Sequence, residues 1–456
     1  MAFEFVGGPR DGGWRRPAIL ALGLAGAFTV IAAVAPVVSL QPRWRRGTAI
    51  VPTIPRLHIA GTNSLYCCAK HRKHLSKPKL KEAPVKPLVS VVVPVYNGAS
   101  HLPQCLDSLV SQTLREIEII LVNDQSTDGS LDILLDYASR HEAIVVIDSP
   151  VNRRQGGARN LGIRAARAEY IGFVDQDDWV EATMFQKMYA KAVATDSDLV
   201  RCFVEEFNEI PGEQGHRRVE VFEPALSVEG RILTDTDRES LLMYGGSAGA
   251  IWSELFRRSV FFDSDLFFPE NLVYDDNYFK KLMLFYIERC AFVKEYLYHY
   301  RIHVTSGMNM RNAPWLFDRL RIECMVLDDI AARGLSGRLT EVLEHKFMKM
   351  YFWNTIHLWE KRSDGDFPVA VLREMRLEVR RRVPHFRSNI YYKQHFSLRA
   401  RLLIDVIMVS PEAYPVVSRL FRQADRVARH LLGVLRKNAT IYVGIRAIYR
   451  RLLGRA

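Results

Sequence analysis

Residues 89–97 read VSVVVPVYN. From Val89 to Val95 the run is β-branched and almost free of polar groups, the pattern of a strand covered on both faces. Leu102, Leu106 and Leu109 follow at i, i+4 and i+7, a helical repeat. The alternation continues outward: IEIILV at 117–122, a helical stretch at 131–138, IVVI at 144–147, a helix from about 157 to 167, and YIGFV at 170–174. Buried strands alternating with helices predict an α/β fold built on a mostly parallel, doubly wound sheet. Such sheets bind ligands beyond the carboxyl ends of their strands.

Polar residues gather where that rule places a ligand. Pro94, Tyr96 and Asn97 close the first strand, Asn123 to Asp128 follow the second, and Asp175, Gln176, Asp177 and Asp178 follow the fourth. Carboxylates predominate, which suits a hard divalent cation such as Mg²⁺ or Mn²⁺ with positions left open for phosphate oxygens. No GxxxxGK[ST] loop and no GxGxxG follows the first strand, so two common phosphate-binding designs are excluded.

In order and spacing, VSVVVPVYN, VNDQSTD (122–128), GGARNLG (156–162) and FVDQDDW (173–179) resemble glycosyltransferase family 2, of GT-A fold. The likeness extends more loosely through IWSELFRRS (251–259), YDDNYF (274–279) and YLYHYRIHVTS (296–306). It implies inverting transfer of a sugar from a nucleotide-diphosphate donor, a UDP-sugar by expectation, to the hydroxyl of a glycan, lipid-linked or other acceptor. On the matching positions, Pro94, Tyr96, Asn97 and Asp124 would hold the nucleotide base. Asp175 and Asp177 would form the DXD motif, with Asp177 the direct ligand of Mn²⁺ or Mg²⁺, and Arg159 would lie near the donor diphosphate. Asp276 would take the acceptor proton, although Asp275 stands where the family's usual glutamate is found and competes for that role. The chemistry is consistent in itself: a cation offsets charge on the leaving diphosphate, and one carboxylate base suffices for direct displacement.

Other residues have simpler readings. Asp128, before Gly129 and Ser130, suits the start of a helix, and Asp107 is an ordinary helical acid. Trp179 and Trp252 fit an acceptor groove or a packed core. His303 fits a diphosphate contact or a surface hydrogen bond, and GGSAGA (245–250) a turn or a close acceptor approach.

The flanks differ in character. The 456-residue chain carries a formal charge of +12, but residues 1–86 hold fourteen Lys/Arg and three acids, and residues 418–456 hold ten and one. The tails therefore carry +11 and +9, and the segment between them carries −8. A broad nucleic-acid surface is not what this distribution describes. Residues 17–40 run 24 positions without a charge, long enough for a single-pass anchor, with a cleaved signal peptide or a plain extension as rival readings. The expected organisation is a tail at 1–16, an apolar segment at 17–40, a basic linker at 41–87, a GT-A catalytic domain at 88–310, a helical region at 311–417 and a basic amphipathic helical tail at 418–456. Membrane association follows, with the catalytic domain on the cytoplasmic side in a bacterium. Six scattered cysteines form neither a disulfide framework nor a CxxC site. A nucleotidyltransferase and a non-catalytic nucleotide-sugar-binding protein remain as alternatives, the first distinguished by pyrophosphate release.

Overall fold

The computed structural model describes residues 86–220, 227–245, 251–304, 317–335, 337–363 and 366–435. The apolar segment 17–40, the linker up to residue 85, the stretch 246–250 and the terminal residues 436–456 lie outside the described residues. Among the described residues no helix is long and apolar enough to cross a membrane.

The strands are β1 (Val89–Val95), β2 (Ile117–Asn123), β3 (Ile144–Asp148), β4 (Tyr170–Phe173), β5 (Trp179–Val180), β6 (Leu199–Asn208), β7 (Gly215–Val219), β8 (Glu254–Arg257) and β9 (Cys290–Ile302). They form one mixed sheet in the order β3-β2-β1-β4-β8-β6-β9-β5, with β7 on β6. β1 lies between β2 and β4, parallel to both, and all seven of its residues are buried. Its side chains divide by period two. Val89, Val91, Val93 and Val95 join a cluster with Leu102, Leu106 and Met188 of the helices Leu102–Val110 and Met184–Thr195, whereas Val92 faces Ala158 and Ile163 of the helix Arg154–Ala165.

The second half of the sheet departs from the simple parallel pattern. β8 runs antiparallel to both β4 and β6, and β9 runs parallel to β6. Two reversals restore the original direction, so β9 ends at the same edge as β1, β2 and β4. That is why a residue after β9 can reach the acidic segment after β4.

Beyond the sheet the chain is helical. The helix Asp318–Ala332 packs against the helix Asp275–Met283, and helices follow to Tyr414–Leu435. In that last helix, Arg422 pairs with Glu360 at 2.8 Å and Asp425 with Arg399 at 2.7 Å, while Arg419 pairs with Asp366. These charges of the amphipathic tail are committed to neighbouring segments.

The close approach of the helix Arg154–Ala165 to β1 depends on Gly162. A Cβ there would lie 2.3 Å from Val92 Cγ1. Gly162→Ala gains about 1 kcal/mol of helix propensity, but overpacking a rigid interface costs roughly 1–3 kcal/mol, so the clash decides the sign. Urea unfolding is expected to show net destabilisation, and a cycle with Val92→Ala a favourable coupling of about 1 kcal/mol; full wild-type stability in Gly162→Ala would show that the helix is free to shift.

Candidate active site

The site begins with the turns that end the parallel strands. Asn97 and Gln125 hold left-handed backbone, with φ of 50° and 62°, as do Arg154 at 59° and Tyr274 at 68°. Non-glycine residues take this region at a cost of about 1 kcal/mol or more, offset by surrounding contacts. The contacts are visible here. Asn97 N–H donates to Ser126 Oγ at 3.0 Å, and Asn97 Oδ1 accepts from Thr127 N–H at 2.8 Å, tying the turn after β1 to the turn after β2. Tyr96 N–H donates to Gln176 Oε1 at 2.8 Å, and Gln176 Nε2 donates back to the Tyr96 carbonyl at 3.0 Å, tying the first turn to the one after β4. The Tyr96 side chain is left 48% exposed.

Asp124 is buried, and its Oδ1 accepts from Arg153 N–H at 2.7 Å. Burial raises its carboxyl above the usual range, against the pull of the Arg153 and Arg154 amides and the Arg153 charge. Arg153 in turn reaches Glu270 at 3.1 Å.

Arg159 stands at the centre. It is 2% exposed, and its Nη2 lies 3.1 Å from Asp175 Oδ1 while its Nη1 lies 2.9 Å from Asp275 Oδ2. Gln155 Nε2 adds a bond to Asp175 Oδ1 at 2.9 Å. The next residue, Asn160, exchanges two bonds with the backbone of Phe268, at 2.8 and 2.9 Å, so ARN pins the segment leading to Asp275. Gly156 permits this packing, since a Cβ there would sit 2.4 Å from the Pro269 carbonyl.

The carboxylates after β4 enter three environments. Asp175 turns inward to Arg159, and burial raises its pKa despite that partner. Asp178 is buried, accepting from Tyr298 O–H at 2.6 Å and Arg301 N–H at 2.8 Å, and burial beside Asp177 and Asp175 holds its pKa well above the carboxylate range. Asp177 remains 28% exposed at its side chain, with Oδ2 3.0 Å from His303 Nε2. Two ligands at adjacent corners of an octahedral ion, each about 2.1 Å from it, are themselves roughly 3 Å apart, so this pair fits a Mg²⁺- or Mn²⁺-sized cation. Among the described residues no group of three or more His, Cys, Asp or Glu gathers in ligand geometry. The remaining positions would fall to donor oxygens or water.

Asp276 lies in the first turn of the helix Asp275–Met283, partly exposed, with Oδ1 accepting from Asn277 N–H at 2.8 Å. Asp275 is buried, and burial pushes its carboxyl up to about 6, outweighing Arg159 and reinforced by the charge of Asp276. The helical region braces this turn from outside. Asp318 accepts from Val273 N–H at 3.1 Å, the Arg319 guanidinium sits 4.3 Å from the Tyr274 ring centre, and Asp329 takes the Tyr278 hydroxyl.

Other expected residues are less involved. Asp128 bonds Ser130 N–H at 3.0 Å and Ala99 N–H at 3.1 Å, a turn-stabilising role. Trp179 stacks on His299 at 5.3 Å, and Trp252 on Tyr298 at 4.3 Å and Tyr300 at 5.2 Å, so both pack among rings of β9. Tyr298, Arg301 and Gln155 organise the site without having been singled out from sequence, and Gln176, expected among the strand-end polar residues, ties two turns together. Tyr298 and Arg301 both lie in YLYHYRIH, but at three residues apart they fall on opposite faces of the strand, so alternation does not group them.

An α/β sheet with carboxylates converging at its strand ends has an acidic, polar site where such sheets bind ligands. Residues 90–262 match the sequence profile of Glycosyl transferase family 2. The chain is 37% identical over 239 residues to an uncharacterized glycosyltransferase, EpsJ, of Bacillus subtilis, covering 52% of this chain and 67% of that one. It is 45% identical over 114 residues to the poly(ribitol-phosphate) beta-glucosyltransferase of Bacillus spizizenii, covering 24% of this chain and 18% of that one. The chain thus spans about two thirds of EpsJ and far less of the second relative. The structure resembles S. aureus TarS 1–349 in complex with UDP-GlcNAc, with a TM-score of 0.56, 19% identity, and 74% of this chain and 91% of that one covered, a likeness of GT-A fold. The protein belongs to glycosyltransferase family 2.

The raised Asp275 carboxyl has a consequence for stability. Its proton is held more tightly in the folded protein than in the unfolded chain, so its contribution to stability falls as pH rises from about 4 through about 6. The stability advantage of wild type over Asp275→Asn is expected to shrink by on the order of 2 kcal/mol across that window, measured by denaturant unfolding at pH 4, 5, 6 and 7. An advantage that grows with pH would show that the ion pair with Arg159 outweighs burial.

Proposed function

We propose that this chain is an inverting glycosyltransferase that transfers a sugar from a nucleotide-diphosphate donor, a UDP-sugar, to the hydroxyl of a glycan or lipid-linked acceptor in surface polysaccharide or glycolipid synthesis. The observation carrying this reading is Arg159, which bridges Asp175 at 3.1 Å and Asp275 at 2.9 Å and so joins the strand-end carboxylates to the turn bearing Asp276.

Asp124, Tyr96, Asn97 and Pro94 form the base end of the donor site in this reading. The Asp124 carboxylate, held by the Arg153 amide, would also take a base N–H, and the exposed Tyr96 ring offers a stacking face. The diphosphate lies toward Asp177 and His303. A Mn²⁺ or Mg²⁺ ion bound there supplies charge neutralisation of the leaving group. Arg159 is spoken for by two carboxylates, so its part is to orient Asp175 and Asp275 and to offset part of their negative charge on the side of the donor phosphates. Asp276 is the partly exposed carboxylate of the pair and takes the acceptor proton. Asp275, buried against Arg159, holds the turn. Direct attack opposite the leaving group inverts the anomeric centre and needs one base.

Membrane association with the catalytic face in a bacterial cytoplasm belongs to the same reading, supported by residues 17–40 and by the basic character of both ends.

The test is a panel of UDP- and GDP-sugars with Mn²⁺ or Mg²⁺, following nucleoside diphosphate release alongside pyrophosphate. Asp276→Asn is expected to lower kcat by roughly 10²- to 10⁴-fold, the usual worth of a general base, with folding retained. Asp177→Ala is expected to abolish the response to added metal. Pyrophosphate instead of nucleoside diphosphate, or an unimpaired Asp276→Asn, would overturn the assignment.

A further inference from the structure

One helical turn beyond Asp276, Lys280 points into the core, 8% exposed, with its Nζ 3.5 Å from Glu254 Oε1. Glu254 is fully buried on β8 and stands directly opposite Arg201 of β6, whose Nε lies 2.7 Å from the same oxygen. The three form a buried group of two cations and one carboxylate. Arg201 Nε, Lys280 Nζ and both Glu254 oxygens lack a well-aligned hydrogen bond. Burial lowers the Lys280 ammonium, and Glu254, with Asp276 behind it, pulls it back up.

Stability does not account for such a group. Buried ions that are imperfectly hydrogen-bonded recover little of their desolvation cost, and apolar side chains of similar volume generally serve the fold as well. The position is informative instead. At about 100° per residue, Asp275, Tyr278 and Lys281 lie along one side of their helix, where Arg159, Asp329 and Glu323 hold them. Asp276 and Lys280, four residues apart, share the opposite side. Lys280 is therefore the charged anchor on the side of Asp276, beside the apolar contacts of Phe279 and Met283, and it ties that side to the central sheet through β8 and β6.

We propose that Lys280, seated on the Glu254–Arg201 pair, is a positioning residue that fixes the rotation of the helix Asp275–Met283 so that the Asp276 carboxylate meets the acceptor hydroxyl. The inference rests on Asp276 being the base.

The experiment replaces the group with apolar residues, Arg201→Met, Glu254→Leu and Lys280→Met together, in the full chain. The expected result is an unfolding midpoint no lower than wild type, donor KM within about 2-fold and kcat down by about 10- to 100-fold, the scale of a small misplacement of a reacting group. A folded triple variant with kcat within about 2-fold of wild type would overturn the proposal. If the triple variant does not fold, Lys280→Arg and Lys280→Met decide. Arg, which keeps the charge, is expected to retain kcat within about 3-fold and Met to lose more than about 10-fold, and equal values overturn the role. Asp276→Asn is measured beside them. If it is active, the base assignment fails and the inference with it; if it is inactive while the Lys280 variants are normal, only the positioning role fails.

Discussion

Burying one guanidinium between two carboxylates from distant parts of the chain is the constraint on which the site depends. Arg159 comes from the helix after β3, Asp175 from the end of β4 and Asp275 from the start of a helix a hundred residues later. Removing either acid leaves the cation short of a partner at 2% exposure, and removing the arginine leaves two acids facing each other, each a loss of several kcal/mol in buried pairs. The pairing is tight and oriented, and the guanidinium fork supplies what a lysine could not, two directed donors to two separate carboxylates. The sugar-transfer reading needs this arrangement, because base and donor must meet within a fraction of an ångström although they sit on separate segments.

The acidic segment after β4 shows how a short sequence is divided among tasks. Asp175, Asp177 and Asp178 lie within four residues, yet one faces Arg159, one faces His303 and one is buried under Tyr298 and Arg301. The parallel return of β9 makes the last two contacts available, since it ends at the sheet edge where β4 ends. A carboxylate pressed against others in low dielectric favours its protonated form. Asp178 is buried and Asp175 is turned to Arg159, which leaves Asp177 as the most exposed of the three, beside His303.

Much of this was legible in the sequence. The β1 run, the strands at 117–122 and 144–147 and the helices between them follow from uninterrupted apolar residues, and the strand-end carboxylates stand where parallel sheets place ligands. Two kinds of feature were not legible. β6, β8 and β9 pair over separations of 53 to 94 residues with mixed direction, and short-range periodicity carries no information on partner or direction. Glu254, in the quoted IWSELFRRS, reads as an ordinary surface acid because nothing local announces Arg201 and Lys280. Buried charges are specified by partners distant in sequence, so they are the last thing a linear reading finds.

The arginines sharpen the meaning of the net charge. Arg159, Arg201, Arg301 and Arg319 are buried and face carboxylates, backbone or rings inside the molecule, where they hold elements together and project no broad field. Of the arginines in the last described helix, Arg419 and Arg422 are matched by Asp366 and Glu360. The basic excess at both ends of the chain is carried mostly by residues outside the described part. In the proposed function the donor phosphates would meet a different arrangement, the Asp177 carboxylate and His303. On that proposal an anionic donor would be accommodated by local geometry in an acidic segment, while the surplus positive charge lies toward the termini.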